Sequence, residues 1–217
     1  MVVLVIRGNK AMERIKHKQM VMKNKVDDLT DALVNIMQYS DSSVDYPNID
    51  AAEVDDGVVA EWFYPIYNGM NDFSELTAIL MYTSQESTFE EIGEVMLGIA
   101  LTEMKHYAKL GDFICKLGGS IKQKYNNSGV TIGNNAREAL EIAYESEVKT
   151  INFYDAIKER IEKTKSTTTT AIALQLIDKI KADEEVHKRL LNAEFLKYPK
   201  KENDIVEKIE VNEQEDS

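Results

Sequence analysis

The chain has 217 residues, a formal net charge of −12, one cysteine and three histidines. This length suits one domain with a core of useful size. The lone cysteine excludes a disulfide scaffold, a Cys-rich zinc site and a four-cysteine iron centre, and fits a reducing, cytoplasmic setting. The acidic balance argues against nucleic acid as a partner, because neutralising phosphates needs a basic surface. No apolar run reaches the roughly 18 residues of a membrane span. The run at Met1–Ile6 is too short for an export signal, and its basic residues follow rather than precede it. Neither a membrane nor export is therefore expected.

Residues 1–25 carry seven Lys or Arg and one Glu, whereas residues 26–61 carry ten Asp or Glu and no Lys or Arg. Such a reversal predicts that residues 1–57 form a flexible N-terminal extension that contributes little to function. A start at Met20 or Met22 would make the basic stretch upstream sequence. A linker opens at Tyr46-Pro47-Asn48 and ends near Gly57. Val58 to Tyr67 is apolar and aromatic, with Pro65 expected to kink or end a short helix. Apolar residues at Phe73, Leu76, Ile79, Leu80 and Tyr82 predict a first long helix over 71–86. Thr88 and Glu91 have capping-box spacing ahead of a second helix over 89–117, which Gly118-Gly119 ends. Residues 118–135, rich in Gly, Asn and Ser, read as a loop. A third helix is expected over 136–163, a Ser/Thr-rich turn at 165–170 and a fourth helix over 171–198, stopped by Pro199. Residues 200–217 read as a solvated acidic tail. The expected fold class is all-α, a four-helix bundle of two antiparallel hairpins over residues 58–199.

Two of the three histidines share one spacing. Glu103-Met104-Lys105-His106 and Glu184-Glu185-Val186-His187 are both Glu-x-x-His, which puts a carboxylate and an imidazole on one helix face. One such pair alone reads better as a solvated ion pair; two, on the second and fourth helices, form a pattern. The other two helices carry a matching feature. Glu75, Ile79 and Tyr82 on the first recur as Glu147, Ile151 and Tyr154 on the third. Ile99, Glu103, His106 and Leu110 on the second recur as Ile180, Glu184, His187 and Leu191 on the fourth. The chain is thus an internal repeat of a helical hairpin.

Facing residues of an antiparallel hairpin are equidistant from its turn. Residue 89 lies midway between 75 and 103, beside Ser87-Thr88, and the midpoint of 147 and 184 falls in the Ser/Thr run. Each lone glutamate therefore sits level with its partner Glu-x-x-His, and four carboxylates and two imidazoles converge at one depth. A buried carboxylate is costly without a partner. One Glu from each of two helices with Glu-x-x-His from the other two is the di-metal carboxylate arrangement. The predicted metal ligands are Glu75, Glu103, His106, Glu147, Glu184 and His187. The topology needs residues 118–135 to return the bundle length. A helix of about 28 residues is about 42 Å long, within the reach of about 60 Å for eighteen extended residues.

Rival readings exist at some positions. Asp72 and Glu75 could be a helix-cap pair, and Glu145 competes with Glu147 but lacks the Ile and Tyr offsets. Glu86 and Glu185 read as solvated. Tyr82 and Tyr154 read as core residues whose hydroxyls could support ligands. Asp183 could orient a histidine or be a surface charge. His17 has no partners, and Cys115 is expected in the core.

With these residues the chain resembles the ferritin-like superfamily over residues 60–198. Ser74-Glu75-Leu76-Thr77-Ala78-Ile79, Glu103-Met104-Lys105-His106 and Ala182-Asp183-Glu184-Glu185-Val186-His187 look like the short manganese-catalase-like and rubrerythrin-type bacterial proteins within it. Rubrerythrins usually add a four-cysteine rubredoxin module and a further ligand glutamate one turn after that of the third helix. Here there is one cysteine, and that position is Thr150. The chain is also shorter than typical manganese catalases. The resemblance implies a dinuclear iron or manganese centre and a metal-dependent oxidoreductase of catalase or peroxidase type, tied to oxidative stress, with hydrogen peroxide or oxygen as substrate and a homo-oligomeric state. Either Glu103 and Glu184 or Glu75 and Glu147 would bridge the metals, His106 and His187 would each cap one, and the carboxylates would serve catalysis by moving protons. Iron oxidation and storage, or a structural spore-coat role, are the alternatives.

Overall fold

A computed structural model describes residues 36–54, 57–69, 71–122, 125 and 127–198. The basic N-terminal stretch, His17, the alternative starts at Met20 and Met22 and the acidic tail at 200–217 lie outside the described residues. Four helices carry the fold: α1 (Glu75–Thr88), α2 (Gly93–Lys116), α3 (Ala136–Glu162) and α4 (Thr168–Phe195). α1 packs along α2 and α3 along α4, with further contacts of α1 to α3 and of α2 to α4. These are the two predicted hairpins, and the 117–135 connection joins them. Among the described residues no helix is long and apolar enough to cross a membrane.

The helix ends follow local chemistry. The Ser74 hydroxyl accepts from the Thr77 N–H at the start of α1, Asn135 caps α3, and Thr167 with Thr170 forms a reciprocal capping box on α4. α2 ends in a Schellman motif: Gly118, at φ +78°, donates its N–H to the Cys115 carbonyl and Gly119 donates to that of Ile114. The predicted Thr88–Glu91 capping box does not form. α1 runs through Thr88, whose hydroxyl bonds back to the Ser84 carbonyl instead.

α1 is half the length of the others. It begins at the glutamate itself rather than at residue 71, because Ser74 caps it. The space beside the far half of α2 is filled by residues 58–67, a 3-10 turn at Ala60–Trp62 followed by a single helical turn at Tyr64–Tyr67. Pro65 lies in the first turn of that second piece. It therefore starts the turn rather than ending it, as expected for a residue whose missing N–H has no partner there anyway.

Among the described residues the interior has two apolar cores. One holds Phe63, Ile66, Leu110, Phe113, Ile114, Tyr154 and Ile180; the other holds Met81, Tyr82, Met96, Ile99, Leu140 and Leu191. Phe63 and Phe113 meet edge to face at 5.3 Å, and both are fully buried. Phe113→Ala is expected to lower stability by about 3–5 kcal/mol, the cost of lost transfer energy and a residual cavity, readable by chemical denaturation. Cys115 is exposed, contrary to expectation, because Phe113, Ile114 and Leu117 take the core side of that turn.

Part of the stretch assigned to the extension packs on the bundle. Tyr39, Ile49 and Ala52 are buried, and residues 36–39 and 49–51 form 3-10 turns against α2 and α4. Spaced apolar side chains account for this even in a segment without Lys or Arg.

Candidate metal centre

Helical periodicity brings Glu75, Glu103, His106, Glu147, Glu184 and His187 into one buried layer; none is more than 2% exposed. All six predicted site residues therefore meet. They form two overlapping groups, each able to hold a metal ion: Glu75, Glu103, His106 and Glu184 in one, Glu103, Glu147, Glu184 and His187 in the other.

Both histidines turn Nδ1 inward. His106 Nδ1 lies 3.1 Å from Glu103 Oε2 and 3.4 Å from both Glu75 Oε2 and Glu184 Oε1. His187 Nδ1 lies 2.8 Å from Glu184 Oε2, 3.0 Å from Glu103 Oε1 and 3.6 Å from Glu147 Oε1. Glu103 and Glu184 thus each point one oxygen at either imidazole, whereas Glu75 and Glu147 each reach one. Of the two pairs that sequence leaves open as bridges, Glu103 and Glu184 have the shared geometry. The ring centroids of His106 and His187 are 6.0 Å apart.

Five buried polar atoms of this layer make no hydrogen bond: Glu75 Oε2, Glu103 Oε1, both oxygens of Glu184 and His187 Nδ1. Acceptors stranded away from water cost free energy that a cation recovers. A hard-oxygen and imidazole donor set of this kind fits iron or manganese.

Electrostatics in the layer are divided. Burial raises Glu75 to about 8, with the Glu103 charge adding to it. Burial also pushes Glu184 well up, reinforced by Glu103 and Glu147. Burial would raise Glu103 too, but His106 and His187 on either side hold it well below the usual carboxylate range. Burial pulls both histidines down, yet the groups around them win. Tyr46, Glu184 and Glu103 raise His106, and Glu103, Glu147 and Glu184 raise His187.

Supporting contacts hold the ligand candidates from outside. The Tyr82 hydroxyl on α1 donates to Glu147 on α3, and the Tyr154 hydroxyl on α3 donates to Glu75 on α1. Both tyrosines are fully buried, so they are core residues and ligand supports together. Asp183 is no surface charge: it is fully buried, with Oδ2 3.1 Å from His106 Nε2. It accepts from Lys179 Nζ, the Ser40 hydroxyl, the Asp41 N–H and the Tyr46 hydroxyl. Burial raises Asp183, but His106 and Lys179 outweigh it and hold the carboxyl far below its ordinary value. The Nε2 of His187 instead faces the Tyr39 carbonyl at 3.0 Å.

Several weaker expectations are also resolved. Asp72 is not a cap partner of Glu75 but pairs with Lys149. Thr150 does not point at the centre as a ligand would: its hydroxyl donates to the Phe73 carbonyl and steadies the start of α1. Glu185 is exposed and pairs with Lys188. Sequence reasoning missed Tyr39, Ser40, Asp41, Tyr46 and Lys179. Of these only Lys179 left a trace, its four-residue offset from Asp183.

A solved structure of mycobacterial bacterioferritin resembles this fold, with a TM-score of 0.51 and 22% identity, over 65% of this chain and 84% of that one. No curated protein matches the chain in sequence. The family profile of the ferritin-like domain matches residues 74–195, which run from the Ser74 cap to the end of α4 and contain all six residues of the buried layer. The chain belongs to the ferritin-like domain family.

Proposed function

We propose that the protein binds two ions of iron or manganese between its four helices and acts, as a homo-oligomer, as an oxidoreductase on hydrogen peroxide or oxygen. The observation that carries this reading is the sharing of Glu103 and Glu184 between two four-residue groups. Glu75 and His106 would complete one position, and Glu147 and His187 the other. Two such ions, when bound, supply one electron each to cleavage of an O–O bond.

The residues of the chain do the rest. His106 and His187 keep Nδ1 free for a cation because their Nε2 atoms are engaged by Asp183 and Tyr39. Tyr154 holds Glu75 Oε1 and leaves Oε2 open. Glu75, raised to about 8, would release its proton near neutral pH on holding a cation. The two apolar cores above and below exclude bulk water.

Iron oxidation coupled to storage is the second reading, favoured by membership of the ferritin-like domain family. Metal analysis, peroxide and oxygen turnover and native mass, measured on protein from its own host, separate the two. Bound metal, turnover and a small oligomer are expected for the first. A large hollow assembly that accumulates iron would replace it with the second. Loss of thermal stability on metal removal, without any turnover, would leave a structural metal and overturn both.

A further inference from the structure

We propose that residues 38–46 form a strap that positions the two metal-binding histidines, with Tyr39 seated in a notch at Gly98 to orient His187. This inference rests on the metal reading above. The hairpin repeat breaks where the strap meets it. Asp183, the residue before Glu184, serves His106, but its counterpart before Glu103 is Thr102, whose hydroxyl bonds the Gly98 carbonyl of its own helix. The Nε2 of His187 therefore has no carboxylate from the repeat, and the strap supplies the Tyr39 carbonyl.

The strap is keyed at both ends. A Cβ on Gly98 would lie 2.1–2.5 Å from ring atoms of Tyr39, so that ring rests directly on the backbone of α2, and its hydroxyl reaches the Glu94 carbonyl at 3.4 Å. At the other end Tyr46 lies under Lys105 and Lys179, 4.5 and 5.3 Å from its ring centre. Between them Lys179 Nζ donates to the Asp41 carbonyl and the Ser40 hydroxyl. Asp183 binds this middle stretch and His106 at once, so His106 keeps its partner on α4 whether or not Tyr39 is seated. Tyr39 is thus a positioning residue for one half of the centre only.

The test reads each half separately with Co2+ as probe, through its visible absorption. Glu75→Ala leaves only the His187 position, and Glu147→Ala leaves only the His106 position. Adding Gly98→Ala is expected to weaken Co2+ by about 10–100-fold in the Glu75→Ala background and to change the absorption band, the usual scale for loss of a ligand's supporting partner. In the Glu147→Ala background, affinity and band are expected to stay as they were. Tyr39→Gly removes the anchor instead of overfilling the notch, and it covers a Gly98→Ala chain that does not fold. The same one-sided loss is expected from it. Equal weakening of both halves, or of neither, overturns the strap. Parent variants that do not bind one ion each overturn the metal reading itself.

Discussion

Replacing Glu103 with alanine is expected to abolish both bound metal ions, whereas Glu147→Ala leaves one. Glu103 places Oε2 toward His106 and Oε1 toward His187, so its removal strips a donor from each group. It also leaves both raised histidines without one of the two carboxylates common to their surroundings, the other being Glu184. Glu147 belongs to one group, and Glu75, Glu103, His106 and Glu184 persist without it. Elemental analysis after anaerobic reconstitution reads the outcome directly. Losing one carboxylate donor of four is expected to cost on the order of 10–100-fold or more in affinity, by comparison with loss of a ligand's outer partner. Two ions retained at full affinity in Glu103→Ala would show that the ligand set is wrong.

The second large effect is on stability against pH. Without metal, the folded protein is expected to lose stability as pH rises from 5 to 8. Glu75 holds its proton in the fold up to about 8, against an ordinary 4.5. In that window the folded state binds a proton that the unfolded chain has released, so stability falls with pH. Glu184, also raised, acts with the same sign. His106 and His187, held well above 6.5, stabilise fully below that value and lose the contribution as pH rises through their folded values. Glu103 and Asp183 are held low, so their contribution is lost only as pH falls below the ordinary carboxylate range, outside this window. Metal binding displaces protons and tightens as pH rises. The gap in Tm between loaded and metal-free protein should therefore widen toward pH 8. At a free metal concentration of 1,000 Kd each bound ion should add about 10 °C, from about 4 kcal/mol of linkage per ion spread over a domain of this size. A gap that is constant from pH 5 to 8 would refute this account.

The six converging residues were legible because helices obey a simple period. Glu75 with Tyr82, and Glu103 with His106, lie on one face whatever surrounds them, and hairpin symmetry sets their common height. The sharing of Glu103 and Glu184 was open, because it depends on which way two carboxylates rotate within a packed layer. The start of α1 was misplaced by four residues because the apolar period extends back to Phe73, whereas a single hydroxyl, that of Ser74, sets the boundary. The strap was hidden for a deeper reason. Its partner for His187 is a main-chain carbonyl, which every residue carries, and its notch is the absence of a side chain at Gly98. Neither leaves a motif.

The crossed tyrosines carry a consequence for how the centre can come into being. Tyr82 belongs to the first hairpin but secures Glu147 of the second, and Tyr154 of the second secures Glu75 of the first. Each half of the molecule keeps the tyrosine fastening for the other half's glutamate and none for its own. A lone hairpin would thus present a glutamate with its own histidine but no tyrosine to fix it, while two copies of one hairpin, docked about a twofold axis, would satisfy both. The centre is in this sense a property of a pairing, which the covalent chain makes permanent.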